Sequence, residues 1–189
     1  MVSFSNTQTG QLVWYITGTS SGLGRRLVAV LLERGDKVVA SARTPEGLAG
    51  LAPAENLRTQ VLDVTAGPDV LARSAEAAVA FFGRVDVLVN NAGVGAKGIL
   101  EEAGSAGLRA QFAVNVFGLL DVTAAFLPYM RKRRAGTVVL IGSRSSWSPE
   151  NPTTGLYASS KAAVRALGET LAAELAPFAL RVLIVEPGA

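Results

Sequence analysis

Tyr157-Ala158-Ser159-Ser160-Lys161 places a phenol and an ammonium four residues apart. On a helix, positions i and i+4 share a face, so the two groups project side by side. A tyrosine titrating near ~10 exchanges protons poorly at neutral pH, and a neighbouring cation favours its phenolate. The chain has no histidine and no cysteine. That excludes a Ser-His-Asp triad, thiol catalysis, a disulfide scaffold and Cys-ligated metal sites. Acid–base chemistry must run on carboxylates, lysine or tyrosine, and the Tyr157–Lys161 pair is the arrangement such chemistry needs. The same spacing is common on solvated helices, so the pair gains meaning only from its company.

Three other motifs supply that company. Thr17-Gly18-Thr19-Ser20-Ser21-Gly22-Leu23-Gly24 joins an apolar run to a helical pattern. Gly18 can take a turn that side chains disfavour, Gly22 lets backbone approach a pyrophosphate, and Gly24 allows close helix–sheet packing. The helix start then offers free N–H groups to phosphates. Ser41-Ala42-Arg43 ends the second apolar run, and no acid appears until Glu46. An acid near this point bonds a ribose 2′-hydroxyl, whereas an arginine accommodates a 2′-phosphate, so Arg43 favours NADP(H). Arg43 as an ordinary surface arginine is the plainer alternative. Asn90-Asn91-Ala92-Gly93 follows the fourth run and suits a loop where side-chain amides satisfy backbone groups beside a ligand.

Positioning these motifs requires alternating strands and helices. Strands are predicted at 12–17, 37–42, 58–62, 85–90, 137–142 and 181–186. Runs such as Val138-Val139-Leu140-Ile141 lack polar alternation, as expected when both sheet faces are covered. Helices are predicted at 21–34, 69–82, 108–133 (kinked at Pro128) and 156–175. Their stripes are read as core: Leu23, Leu27, Val30 and Leu31; Val70, Phe81 and Phe82; Phe112, Val116, Leu119 and Leu120; Val164, Leu167, Leu171 and Leu175. The pattern predicts one α/β domain over residues 1–189, a doubly wound parallel sheet with its switch point between the first and fourth strands. Ligands bind outside the carboxyl ends of such strands, where all four motifs lie.

Taken together these residues resemble the short-chain dehydrogenase/reductase family. The TGxxxGxG turn, Asp63 after the third strand, the NNAG loop, YxxxK and the late Pro187-Gly188 stand in the family's order, over nearly the whole chain. The local texture of Val13–Gly18, Leu62–Thr65 and Asn115–Gly118 is similar to the 17β-hydroxysteroid-dehydrogenase-like subgroup. The resemblance implies a Rossmann fold of strand order 3-2-1-4-5-6 and a tetrad of Asn115, Ser143, Tyr157 and Lys161. In it Tyr157 exchanges the proton with the substrate oxygen, and Lys161 lowers its pKa and bonds the nicotinamide ribose. Ser143 clamps the carbonyl or alkoxide oxygen, and Asn115 positions a relay water. A buried helix asparagine bonding backbone is the plainer reading of Asn115. The cofactor would be held by Gly18, Thr19, Ser20, Ser21, Gly22, Leu23, Gly24, Arg43, Asp63, Val64, Asn90, Asn91, Ala92, Gly93, Tyr157, Lys161 and Pro187. Asp63 and Val64 would flank the adenine, and Asn90 the adjoining ribose. Tyr157 follows Ser143 by fourteen positions, one more than usual in the family; a loop at 148–154 is expected to absorb the difference, and Ser145 stays open as the alternative serine. Family members continue past the point where this sequence stops, so a missing seventh strand, an exposed sixth strand and impaired turnover are expected. An oligomer built on the two long helices is implied by resemblance.

Composition limits the remaining classes. The 189 residues are 49% hydrophobic, which excludes a disordered chain. Four of the 18 basic residues form Arg131-Lys132-Arg133-Arg134 before Ala135-Gly136, which reads as a helix C-terminus capped by glycine rather than a polyanion patch. No metal site and no nucleic-acid or membrane partner is expected. No segment reads as a span of ~20 apolar residues, and polar Met1–Gln11 lacks the core of a signal peptide. A cytoplasmic NADP(H)-dependent oxidoreductase acting on a small carbonyl or alcohol is the leading reading. A non-enzymatic NADP(H)-binding domain and a basic nucleic-acid-binding domain are its rivals.

Overall fold

A computed structural model describes residues 10–188. The polar stretch Met1–Gln11, read above as no signal peptide, lies almost wholly outside them. Six parallel strands form one sheet in the order β3-β2-β1-β4-β5-β6. They are β1 (Val13–Ile16), β2 (Lys37–Ala42), β3 (Leu57–Val61), β4 (Val87–Asn90), β5 (Gly136–Ile141) and β6 (Leu180–Val185). The helices are α1 (Gly22–Glu33), α2 (Pro68–Phe82), α3 (Leu100–Phe112), α4 (Leu119–Arg133) and α5 (Gly155–Leu175). Strand order reverses between β1 and β4, so their carboxyl ends open a crevice, as the sequence predicts.

Neighbouring strand residues divide between two cores. Tyr15, Leu88, Val138 and Leu140 point into a core with Leu71 of α2, Phe126 and Met130 of α4, and Val164 and Leu175 of α5. Ile16, Val38, Ala40, Val87 and Val89 point the other way, onto Val28 and Leu31 of α1. Burial on both faces is why these strands read as unbroken apolar runs. On β6, Ile184 lies under α5, where a Cβ on Gly168 would come within 2.7 Å of it. Leu183, on the opposite face of β6, is 52% exposed.

Several expectations need correction. Leu23 and Val30 are 55% and 59% exposed, and Val70 and Phe81 are also exposed. The stripe of α1 that meets the sheet is Gly24, Val28 and Leu31. The long third helix begins at Leu100, and its irregularities fall at Gly104 (φ 55°, ψ −161°) and in a π-helical turn over Ala113–Gly118. Helix α4 runs on through Pro128 to Arg133. It is Arg134, at φ 50°, that takes the left-handed conformation after α4, not Gly136, which opens β5. The run Leu100–Arg133 does contain a window long and apolar enough to cross a membrane, contrary to the sequence reading; half of that window is buried, largely against the sheet. The basic residues at its end are tied to the protein. Arg133 donates to Asp86 and to the Val85 carbonyl, Arg134 donates to the Pro177 carbonyl, and Arg131 stacks over Phe178.

Candidate active site

The turn after β1 and the loop after β4 are built on one another. Thr17 Oγ1 accepts from the amides of Asn91 and Ala92, both at 3.0 Å. Asn91 Nδ2 donates to the carbonyls of Thr17 (2.8 Å) and Gly18 (2.9 Å). Gly18 has φ +69°, and a Cβ there would lie 2.6 Å from the Ala92 Cα. A Cβ on Gly24 would stand 2.5 Å from the Gly18 carbonyl oxygen. Thr19 turns away from solvent and bonds the Ser41 carbonyl through its amide (2.9 Å) and hydroxyl (3.1 Å). No side chain caps α1 and no acid occupies its first turn. The positive end of the helix is therefore presented to the space beyond Ser20 and Ser21.

That space is a cavity of about 520 Å³ along the carboxyl ends of the strands. Of the residues expected at a cofactor site, Gly18, Ser20, Ser21, Leu23, Arg43, Asp63, Val64, Asn91, Ala92, Gly93, Tyr157 and Lys161 line it. Leu23 is exposed because it faces this cavity rather than the core. Thr19, Gly24 and Asn90 are buried and are not part of the lining, and Gly22 is exposed outside it. Asn90 is buried, with Nδ2 on Thr123 Oγ1 at 2.9 Å and its Oδ1 without a hydrogen-bond partner among the described residues. Asp63 accepts from the Thr65 amide at 2.9 Å; that bond, the Thr65 hydroxyl and the charge of Arg43 hold its carboxyl below the usual range. Pro187 lies off the cavity, its carbonyl accepting from the Arg144 amide at 3.2 Å.

Lys161 and Tyr157 meet at the other end. Lys161 is buried, its Nζ donating to the Ile141 carbonyl at 2.6 Å and lying 5.7 Å from the centre of the Tyr157 ring. Burial lowers its ammonium to about 8. Asn115 sits in the π-helical turn. Its Oδ1 accepts from the Val94 amide (2.8 Å), and its Nδ2 donates to the Val94 carbonyl (2.9 Å) and to Ser160 Oγ (3.0 Å). Ser160 in turn donates to the Tyr157 carbonyl at 2.7 Å. The backbone bonds of the plainer reading are thus present, and they reach the turn of α5 that carries Tyr157. Ser143 Oγ accepts from the Ser145 amide at 3.2 Å and caps a short 3₁₀ turn over Arg144–Ser146. The stretch 148–154 is neither helix nor strand, as the Ser–Tyr spacing predicts.

Sequence reasoning missed Gln111. One turn before Asn115, it accepts from the Ala96 amide (2.8 Å) and donates to the Val94 carbonyl (2.6 Å). Gln111 and Asn115 grip the Val94–Ala96 segment together, and Val94 and Gly95 line the cavity beside Val114 and Ile141. The (i, i+4) pair of amides on one helix face was a readable signal; its partner segment was not.

The short chain dehydrogenase family matches residues 12–189. The chain belongs to this family. A 3-ketodihydrosphingosine reductase of Bacteroides thetaiotaomicron is 39% identical over 173 residues, covering 92% of this chain and 62% of the relative. A short-chain dehydrogenase structure from Streptomyces avermitilis superposes with a TM-score of 0.88 at 42% identity, covering 96% of this chain and 66% of that one. Among other solved family members, a metagenomic short-chain oxidoreductase in complex with NADP has a TM-score of 0.82 at 32% identity, covering 94% of this chain and 82% of that one. A Burkholderia phymatum short-chain dehydrogenase/reductase in complex with NAD has 0.84 at 30%, covering 94% and 68%. This short-chain dehydrogenase chain spans 62 to 65% of the length of the first curated relatives it matches.

Proposed function

We propose that this chain is an NADP(H)-dependent oxidoreductase that interconverts a carbonyl and a secondary alcohol, with Tyr157 as the proton donor and acceptor. The observation that carries the reading is one continuous cavity with Arg43 at one end and the Tyr157–Lys161 pair at the other. Residues 1–189 are read as a single nucleotide-binding domain, cytoplasmic and homo-oligomeric by family likeness, with a small-molecule substrate.

The residues present fit a dinucleotide. The backbone approach at Gly18 and Gly24 leaves no room for a Cβ, and the open start of α1 suits a pyrophosphate. Arg43 is exposed in the lining, and the end of β2 bears no acid to bond a free 2′-hydroxyl, so a 2′-phosphate suits it better. Asp63 and Val64 stand where an adenine edge would rest. When bound, the nicotinamide supplies or takes up a hydride at its C4.

The protein's own groups manage the proton and the charge. Tyr157 gives its phenolic proton to the substrate oxygen in reduction and takes one back in oxidation. Lys161, with an ammonium titrating near 8, is protonated at neutral pH and places its positive charge 5.7 Å from the centre of the Tyr157 ring. Ser143 Oγ already accepts from the Ser145 amide, which leaves its own proton free for the substrate oxygen. Asn115 fixes Val94 and, through Ser160, the helical turn under Tyr157; one lone pair of its Oδ1 stays open for a relay water.

The test is a thermal-shift titration with NADPH and NADH, followed by turnover of a panel of carbonyl substrates by the wild type and Tyr157→Phe. Stabilisation growing with NADPH and weaker with NADH is expected. The phenylalanine variant should keep cofactor affinity and lose roughly 10²–10⁴-fold in turnover. Near-wild-type turnover by that variant defeats the role given to Tyr157. NADPH binding without turnover of any substrate favours the non-enzymatic binding domain.

A further inference from the structure

We propose that Arg25 is a positioning residue for cofactor selectivity, a strut that holds the turn after β2 against the glycine-rich loop and so sets where Arg43 stands. The inference rests on the reading above that the site takes NADP(H).

Arg25 lies in the first turn of α1, two residues after Leu23, and is half-buried. Its Nη2 donates to the Ser20 carbonyl at 3.3 Å and to the Gly47 carbonyl at 2.7 Å. One guanidinium thus bridges the phosphate-binding loop and the segment that follows Arg43. Two glycines make the approach possible. A Cβ on Gly47 would lie 3.0 Å from the Ser20 Cβ and 3.1 Å from the Ala42 Cβ, and one on Gly50 would lie 3.0 Å from Arg25 Nη1. The segment is itself wound into successive tight turns, with Gly47, Leu48 and Leu51 amides donating to the carbonyls of Thr44, Pro45 and Leu48. Leu48 is its buried anchor.

Arg43 immediately precedes this turn and lines the cavity together with Ser20. A long, exposed arginine on an unanchored segment spreads over many rotamers and backbone positions, and each cofactor bound must order it afresh. By tying Gly47 to Ser20, the strut removes the backbone part of that disorder. Arg25 spends its donors on carbonyls rather than a carboxylate, so its positive charge also remains on the side of the cavity where a phosphate would sit. Both bonds leave Nη2, and a lysine ammonium keeps the charge but stops one atom short of that position, so strut and charge can be separated.

The test uses Arg25→Gln and Arg25→Lys in the full chain, with two readouts. Without cofactor, amide hydrogen exchange at Gly47, Leu48 and Leu51 should rise about tenfold in both variants, while β1 and β2 keep their protection. In binding titrations, both variants should weaken NADPH about five- to tenfold and NADH less than about twofold. On an Arg43→Ala background, Arg25→Gln should leave the NADPH-to-NADH ratio within about twofold, because the strut acts through Arg43. Equal weakening of both cofactors, unchanged exchange in the turn, or full NADPH selectivity in Arg25→Lys overturns the assignment. A wild-type protein that binds NADPH and NADH equally defeats the NADP(H) reading, and this one with it; an NADPH-to-NADH ratio left at the wild-type value by Arg25→Gln overturns this one alone.

Discussion

Gly18→Ala tests whether the turn after β1 and the loop after β4 are as closely apposed as the structure has them. At φ +69° an alanine carries a left-handed penalty of about 1–2 kcal/mol. Its Cβ would then stand 2.6 Å from the Ala92 Cα and 3.0 Å from the Ala92 nitrogen. Ordinary carbon–carbon contact is about 3.5–4.0 Å, so the backbone must part by roughly 1 Å. Ala92 cannot yield freely, because its amide and that of Asn91 both donate to Thr17 Oγ1 at 3.0 Å. Forced overpacking of this kind costs about 1–3 kcal/mol, giving a total of about 2–5 kcal/mol for Gly18→Ala. Gly22→Ala is the control, with φ +57° and no atom within 4 Å of the added Cβ. It carries the left-handed penalty alone, about 1–2 kcal/mol. Urea denaturation of the two variants and the wild type, read at a common m-value, measures both quantities. The gap between variants should be about 1–3 kcal/mol in the direction Gly18 worse than Gly22. Equal destabilisation would show that Ala92 does not stand against Gly18, and the mutual construction of the two loops would fall.

Other perturbations probe separate parts of the site. Arg43→Asp should weaken NADPH at least about tenfold while sparing NADH, since a charge-assisted bond is worth about 1.5–3 kcal/mol; titration with both cofactors reads it, and an unchanged ratio would mean that the 2′-phosphate is recognised elsewhere. Lys161 titrates near 8 when folded against an ordinary 10.5, so between those values the unfolded chain binds more protons and stability rises with pH. Lys161→Met should flatten that rise in denaturation midpoints measured from pH 7 to 10, and parallel curves would contradict the burial argument. Gln111→Met strands the Ala96 amide and one acceptor pair on Val94, and should cost about 1–3 kcal/mol by the same denaturation measurement; no loss would mean that the Val94–Ala96 segment is held by other contacts.

The parallel sheet was legible because its central strands are apolar on both faces, as Val138–Ile141 is. The glycine-rich turn was legible because Gly18 answers to a backbone conformation and a close approach that few residues tolerate. Which stripe of α1 meets the sheet was not. Helical periodicity groups Leu23, Leu27 and Val30 but does not say which way the helix is turned, and Gly24, whose missing side chain permits contact, marked the true face. Local propensity also placed the stop after α4 at Gly136, yet Arg134 adopts the left-handed conformation itself, with its side chain anchored on Pro177. Tyr157 and Lys161 were singled out by their spacing, and Ser143 and Asn115 by the family resemblance, whereas the hydrogen bonds that tie Asn115 and Gln111 to Val94 and Ala96 join residues 15 to 21 positions apart, which no local pattern encodes.

The π-helical turn over Ala113–Gly118 bears on how this chain can change in length over evolutionary time. Each residue of a helix advances its neighbours by about 100° around the axis. Deleting one residue between Gln111 and Leu119 would therefore swing either the pair that grips Val94 or the apolar face that meets the sheet through that angle. Neither half can drift without the other being lost. The loop at 148–154 is neither helix nor strand and has no such constraint. Insertions and deletions in relatives should collect at that loop and spare the π-helical turn, so gap positions in a family alignment would trace the mechanical phase of one helix.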